Sequence, residues 1–179
     1  MRIVGGKYKG RKLPVSSKLD LRPTTDFAKE SLFNLLRSRK DLSDIQFLDL
    51  FSGTGNISFE LLSRGAASGT CVDISGASKS YRQAIISQLN IETLQNVKAD
   101  VFKFIPRCKG EFDLVFADPP YDMIQLAELP SLIFDNKLLV ENGLLVLEHP
   151  EEHTFGQHPH FSEHRRYGRV NFSFFNLQV

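Results

Sequence analysis

Two stretches decide how the chain is read: Leu48-Asp49-Leu50-Phe51-Ser52-Gly53-Thr54-Gly55-Asn56, and Phe112-Asp113-Leu114-Val115-Phe116-Ala117-Asp118-Pro119-Pro120-Tyr121. Each is an apolar run that arrives at an acidic or glycine-rich corner, the pattern of a strand buried on both faces that delivers a site at its carboxyl end. Working outward, a strand at 46–50 is followed by a helix to about residue 64, with Ile57, Leu61 and Leu62 inward and Gly65 as terminator. A strand at 69–74, a helix at 76–89, a short strand at 97–99 and the strand ending at Asp118 come next, then a helix around 129–139 and a strand at 143–148. Such alternation implies an open, mostly parallel α/β sheet with right-handed crossovers, Rossmann-like in layout. The tail changes character: 161–166, a Tyr167-Gly168 turn and 170–177 give two strands with no helix between, an antiparallel hairpin that brings the sheet to seven strands.

With 179 residues, 41% of them hydrophobic, the chain can bury one real core. Residues 1–20 are expected to form a basic hairpin extension and 21–179 the main domain, acting as a monomer. No run is long enough to span a membrane and the amino terminus lacks an apolar signal segment, so a cytoplasmic location without membrane contact is expected. Cys71 and Cys108 lack the paired spacing of a metal or redox motif and read as reduced thiols. The net charge of +1 hides a strong polarity: residues 1–40 hold eleven Lys/Arg against three Asp/Glu, a local +8, which leaves −7 for the remainder. One end is therefore suited to a polyanion.

Within residues 2–14, Arg2, Lys7, Lys9, Arg11 and Lys12 occur without an acid among them, and Tyr8 stands between two lysines. Basic residues interleaved with an aromatic suit phosphate contact plus base stacking, although a solvated surface turn would have the same composition. Leu21-Arg22-Pro23-Thr24-Thr25-Asp26 leads into a helix, with Pro23 extended and Thr24 or Thr25 as cap. From 26 to about 39, Ala28, Leu32, Leu35 and Leu36 fall at helical spacing and form the face that packs on the sheet.

The first corner suits a nucleoside cofactor. Gly53 and Gly55 let the backbone approach a ligand and leave amides pointing at it from the start of a helix, and Phe51 opens the same loop. A dinucleotide fold wants Gly-x-Gly-x-x-Gly, and here the third glycine position is Ser58. Asp49, inside the strand ahead of the loop, can orient the loop amides and lie near the amino group of a methionine moiety. Asp73 follows Gly55 by 18 residues, at the end of the neighbouring strand, where a carboxylate can accept two ribose hydroxyls. Asp100 can accept from an adenine amine, with Phe102 close by to cover the ring. The set points to S-adenosyl-L-methionine, with a nicotinamide dinucleotide or a merely structural turn as the alternatives.

The second corner suits a planar amine. In Asp118-Pro119-Pro120-Tyr121 two prolines stiffen the chain, so that the Pro119 carbonyl and the Asp118 carboxylate converge on one point. An exocyclic amine conjugated to a base is a poor nucleophile; acceptors that hold its hydrogens stabilise the positive charge that develops as it attacks a methyl group. Tyr121 can stack on the base. Strands one and four of a doubly wound sheet are neighbours at the point where strand order reverses, so both corners open into one crevice.

With these motifs in place the sequence resembles the RsmD-type 16S ribosomal RNA (guanine-N2) methyltransferases over nearly its whole length. The matching residues are Met1 to Leu13, Arg22-Pro-Thr-Thr-Asp26, Glu30-Ser-Leu-Phe-Asn34, Leu48 to Gly55, Ser63-Arg-Gly-Ala66, Phe112 to Tyr121, Glu148-His149 and Tyr167-Gly168. The resemblance implies a Rossmann-like methyltransferase fold with an S-adenosyl-L-methionine cofactor. It also implies transfer to the N2 amine of one guanine in 16S rRNA, on a partly assembled small subunit. By the same resemblance the cofactor contacts fall on the Gly53 loop and Asp73, and the target-base contacts on Asp118 and Tyr121. Arg22 joins Arg2, Lys7, Lys9, Arg11 and Lys12 as an RNA-binding residue. Two positions depart from the family pattern: Asp73, where Glu is common, and Pro150, where Ser is common.

All five histidines, at 149, 153, 158, 160 and 164, lie in the last 31 residues and read as ordinary surface and hairpin histidines, with no metal site expected. Neither cysteine stands where a covalent nucleophile is needed. Two other readings remain open: a DNA adenine-N6 methylase using the same corner, and a non-catalytic RNA-binding assembly factor that keeps the fold.

Overall fold

The structure is a computed structural model that describes residues 2–14 and 26–177. Helix α1 (Asp26–Arg39) precedes β1 (Gln46–Leu50), α2 (Asn56–Ser63), β2 (Ser68–Asp73), α3 (Gly76–Leu89) and β3 (Leu94–Lys98). A one-turn helix α4 (Val101–Phe104) and a 3-10 turn lead to β4 (Phe112–Ala117). A second 3-10 turn and α5 (Leu129–Asp135) lead to β5 (Leu139–His149), β6 (Phe161–Tyr167) and β7 (Val170–Asn176). The seven strands form one sheet in the order β3-β2-β1-β4-β5-β7-β6. All pairs from β3 to β5 are parallel, and β7 is antiparallel to both β5 and β6.

The alternation of side chains on β1 and β4 divides the core between the two faces. Phe47, Leu114 and Phe116 face one apolar layer with Leu32, Phe33 and Leu36 of α1 and Phe59 and Leu61 of α2. Leu48, Leu50, Val115 and Ala117 face the other, with Leu129 and Ile133 of α5. Strands covered on both sides have no solvent face, hence the mainly apolar runs, interrupted by Asp49 in β1 and Asp113 in β4.

Three elements differ from the sequence expectation. The third strand lies three residues earlier, at Leu94–Lys98, because it is a sheet-edge strand whose half-exposed Gln95-Asn96-Val97 carries little apolar signal. The helix expected at 129–139 ends at Asp135, and Leu139 already belongs to β5. Glu141-Asn142-Gly143 looks like a turn but is an irregularity within the strand: Asn142 has φ 61° and the register to β4 jumps between Phe112 and Leu114.

Residues 2–14 form a short loop closed by a single antiparallel bridge, Arg2 to Lys12, and anchored by Ile3 and Leu13, both buried in the α1 layer. Leu21 to Thr25, with Arg22 and the candidate caps Thr24 and Thr25, lie outside the described residues, as does the expected boundary at residue 20. Among the described residues no helix is long and apolar enough to cross a membrane.

Candidate active site

The register of the sheet sets the two corners side by side. Leu50 pairs with Ala117, and the amide of Asp118 donates to the Leu50 carbonyl at 3.3 Å, so the chain leaves β1 and β4 at the same level of the sheet. Leaving β1, the backbone turns through Phe51 (φ 57°), Gly53 (φ 47°) and Gly55 (φ 76°). Gly55 is required there: a Cβ would stand 2.9 Å from the Phe59 ring and 3.1 Å from Cδ of Arg82.

The loop is held from both sides. The Gly53 amide donates to Oδ2 of Asp73 at 2.9 Å, and the Gly53 carbonyl accepts from Nη1 of Arg82 at 2.6 Å. Oδ1 of Asp73 accepts from the Ser75 amide at 2.7 Å. A carboxylate has about four acceptor sites, so Asp73 can serve the loop and still accept from ligand hydroxyls. Arg82, fully buried in α3, also donates to Oδ1 of Asn96 at 2.9 Å. A guanidinium in that position fixes the carbonyl side of the loop.

Asp49 faces the start of α2. Its Oδ2 accepts from the Ser58 amide at 3.2 Å and the Ser58 hydroxyl at 2.5 Å. Ser58 therefore occupies the third-glycine position for a reason that excludes glycine: it supplies a side-chain donor to a buried acid. Burial raises the Asp49 carboxyl to about 6, against the opposing effect of the Ser58 bonds and Arg82. On the far side of the loop Asp100 caps α4 through Oδ1 to the Phe102 amide at 2.9 Å, and the Phe102 ring meets Phe51 edge-on at 6.4 Å.

At the second corner Pro119 is buried, Pro120 exposed and Tyr121 43% exposed. Asp118 is pushed well above the usual carboxylate range by burial first, then by the charges of Glu148 and Asp49. Glu148 was legible only as part of a family pattern; its place in the site follows from register. Ala117 pairs with Leu147, so Glu148 comes level with Asp118, and its Oε1 accepts from the Tyr121 hydroxyl at 2.9 Å. Aromatic and acid are thereby tied together beside Asp118.

The basic loop is locked onto α2, the helix that the cofactor corner opens. The Val4 amide donates to Oε2 of Glu60 at 2.9 Å, the Lys7 amide to the Ser63 carbonyl at 2.6 Å and the Tyr8 amide to Oγ of Ser63 at 2.9 Å. Lys29, fully buried in α1, links three parts: the Arg2 carbonyl at 2.5 Å, Oδ1 of Asn56 at 2.9 Å and Oε2 of Glu60 at 3.5 Å. Burial holds the Lys29 amine below its ordinary value even with Glu60 opposing. Arg64 completes the group through Nε to Oε1 of Glu60 at 2.8 Å. Sequence reasoning missed Lys29, Glu60 and Arg82 because charged residues are expected outside. The available signal was spacing, since Lys29, Phe33 and Leu36 share a helical face. Of the basic residues expected to meet RNA, Arg2, Lys7, Lys9, Arg11 and Lys12 are exposed on this loop, and Arg22 lies outside the described residues.

The histidine expectation needs one correction. His149 is buried, with Nε2 2.8 Å from Oγ of Ser173 and Phe155 packed edge-on against its ring at 5.0 Å. It ends β5 between β7 and the 150–160 loop, and burial lowers its basicity. Among the described residues no group of three metal-binding side chains converges.

The family model described as conserved hypothetical protein 95 matches residues 1–176. A relative from Escherichia coli K12, ribosomal RNA small subunit methyltransferase D, is 34% identical over 166 residues, covering 92% of this chain and 83% of that one. The Buchnera aphidicola protein of the same name is 31% identical over 157 residues, covering 88% and 79%. Among solved structures, the Escherichia coli protein yhhF superposes with a TM-score of 0.85 at 33% identity, over 99% of both chains.

Proposed function

The chain belongs to the conserved hypothetical protein 95 family, the RsmD family, and from that premise we propose that it methylates the exocyclic N2 amine of one guanine in 16S rRNA. The observation that carries the reading is the shared level of the two corners, with the Asp118 amide bonded to the Leu50 carbonyl that opens the glycine loop. The cofactor is S-adenosyl-L-methionine, which supplies an electrophilic methyl group when bound.

Residues of the first corner fit that cofactor in kind. Asp73 and Asp100 are acceptors for ribose hydroxyls and an adenine amine, Phe51 and Phe102 an aromatic wall, and Asp49 an acid for the methionine ammonium. The left-handed backbone at Gly53 and Gly55 gives the loop its tight turn, and the space a side chain on Gly55 would need is taken by Phe59 and Arg82.

At the second corner Asp118 and the Pro119 carbonyl hold the two hydrogens of the amine and draw its lone pair out of conjugation. As nitrogen becomes positive in the transition state, the half-buried Asp118 carboxylate, fixed beside it, stabilises the developing charge. The raised proton affinity of Asp118 fits it to take the proton that the methylated amine sheds. Tyr121, braced by Glu148, holds the base plane at a fixed angle. The exposed cations of residues 2–12 contact phosphates and orient the RNA on α2, on a partly assembled small subunit.

The test is Asp118→Ala assayed with radiolabelled S-adenosyl-L-methionine on small-subunit particles from cells lacking the protein. Turnover is expected to drop at least about 100-fold while calorimetric cofactor affinity changes by less than about threefold. Retained turnover refutes the role of Asp118.

A further inference from the structure

Guanine and adenine both carry an exocyclic amine on the pairing edge, and they differ at the ring nitrogen beside it. Guanine presents N1–H next to its N2 amine, two donors in a row, whereas adenine presents a bare N1 lone pair next to its N6 amine. The second corner holds two carboxylates. The pairing of Ala117 with Leu147 brings Glu148 level with Asp118 on the neighbouring strand. The Tyr121 hydroxyl pins Oε1 of Glu148 at 2.9 Å, so the acid is fixed relative to the aromatic on which the base rests. Glu148 is 4% exposed, and its backbone is held between β4 and β7, where it pairs with Phe172.

We infer that Glu148 is the specificity residue of this site, accepting the N1–H of guanine while Asp118 holds the N2 amine. A carboxylate has about four acceptor sites, so Glu148 can accept from both the Tyr121 hydroxyl and a base N–H. Adenine in the same position would set its N1 lone pair against the oxygens of the buried Glu148, acceptor against acceptor. A site built to accept a hydrogen bond rejects a ligand that lacks the donor far more strongly than it rejects a small change in shape. The inference rests on the guanine-N2 reading and adds to it the group that excludes adenine.

The experiment uses a small-subunit RNA fragment that the wild-type enzyme methylates, made with the target as guanine or as 2-aminopurine. The analogue keeps the 2-amine but has an unprotonated N1. Wild-type kcat/KM is expected to fall by about 100-fold on the analogue. In Glu148→Gln, whose amide can donate to N1 while its oxygen still accepts from Tyr121, the ratio is expected to shrink to about tenfold or less. Unchanged cofactor affinity in the variant shows that it has folded. Wild-type enzyme indifferent to the analogue overturns the inference, whether or not the variant folds. So does a variant that loses activity equally on both substrates, which leaves guanine methylation standing. If wild-type enzyme methylates no guanine at all, the functional reading fails and this inference with it.

Discussion

The hydroxyl of Ser58 donates to the carboxylate of Asp49 at 2.5 Å, across nine residues that include the whole glycine loop. This bond closes the loop on itself: the acid belongs to β1 and the donor to the first turn of α2, so neither end can move alone. Ser58→Ala is expected to weaken S-adenosyl-L-methionine binding by roughly 5- to 30-fold, since a buried charged acceptor loses a donor worth about 1–2 kcal/mol. Ser58→Gly, which restores the dinucleotide pattern, should weaken it at least as much. Calorimetric titration of both variants checks this.

Asp49 also makes stability depend on pH. Its folded value of about 6 lies above the ordinary 3.8, so the folded state binds the proton more tightly than the unfolded chain. The resulting stabilisation is complete below about pH 4, is lost as pH rises through about 6, and amounts to about 3 kcal/mol. Asp49→Asn should abolish this part of the slope, read as the difference between wild-type and variant urea unfolding from pH 4 to 8. If Asp49 holds the methionine ammonium as proposed, that ammonium favours the ionised acid, and cofactor binding is expected to weaken below about pH 6 in the wild type but not in Asp49→Asn.

With Asp118 as the proposed acceptor of the amine, its raised proton affinity is expected to set the acidic limb of the rate. The acceptor form is the carboxylate, so kcat/KM is lost as pH falls through a value well above the usual carboxylate range. Glu148→Gln removes one of the charges that raise it and should move the limb to lower pH. A purely structural contribution of Glu148 would lower the plateau and leave the limb in place. Methyl-transfer rates between pH 5 and 9 distinguish these outcomes.

The adjacency of the first and fourth strands and both corners were legible because β1 and β4 are covered on two faces and end in residues with narrow uses, paired glycines and paired prolines. The buried charges were not. Lys29 and Arg82 sit on apolar helix faces, and composition alone assigns such residues to solvent. Their burial is explained by partners far away in sequence: Glu60, Asn56 and the Arg2 carbonyl for Lys29, Gly53 and Asn96 for Arg82. Glu148 was hidden in a different way, since only the β4–β5 register brings it level with Asp118.

Glu60 is the residue whose loss should be most costly to the link between basic loop and cofactor helix. It has no exposed side-chain surface and meets Lys29, Arg64 and the Val4 amide. Glu60→Ala leaves a buried ammonium uncompensated and is expected to destabilise the fold by about 3–5 kcal/mol in urea unfolding. Lys29→Met combined with Glu60→Leu should recover much of that loss.

A substitution at Gly6 tests the proposed RNA contact of the basic loop separately from cofactor binding. At φ 73° its Cβ would stand 1.7 Å from the Ser63 carbonyl oxygen, so Gly6→Ala must lift the loop from α2. Affinity for small-subunit RNA is expected to fall about tenfold or more, while affinity for S-adenosyl-L-methionine changes little. Filter binding and calorimetry report the two quantities independently.

The most direct measurement is nucleoside mass spectrometry of 16S rRNA taken from small-subunit particles of cells lacking this protein, before and after incubation with purified enzyme and S-adenosyl-L-methionine. Guanine-N2 methylation by this enzyme predicts a gain of one N2-methylguanosine per 16S molecule, absent with Asp118→Ala. A gain of N6-methyladenosine instead, or no change in any nucleoside, would contradict it.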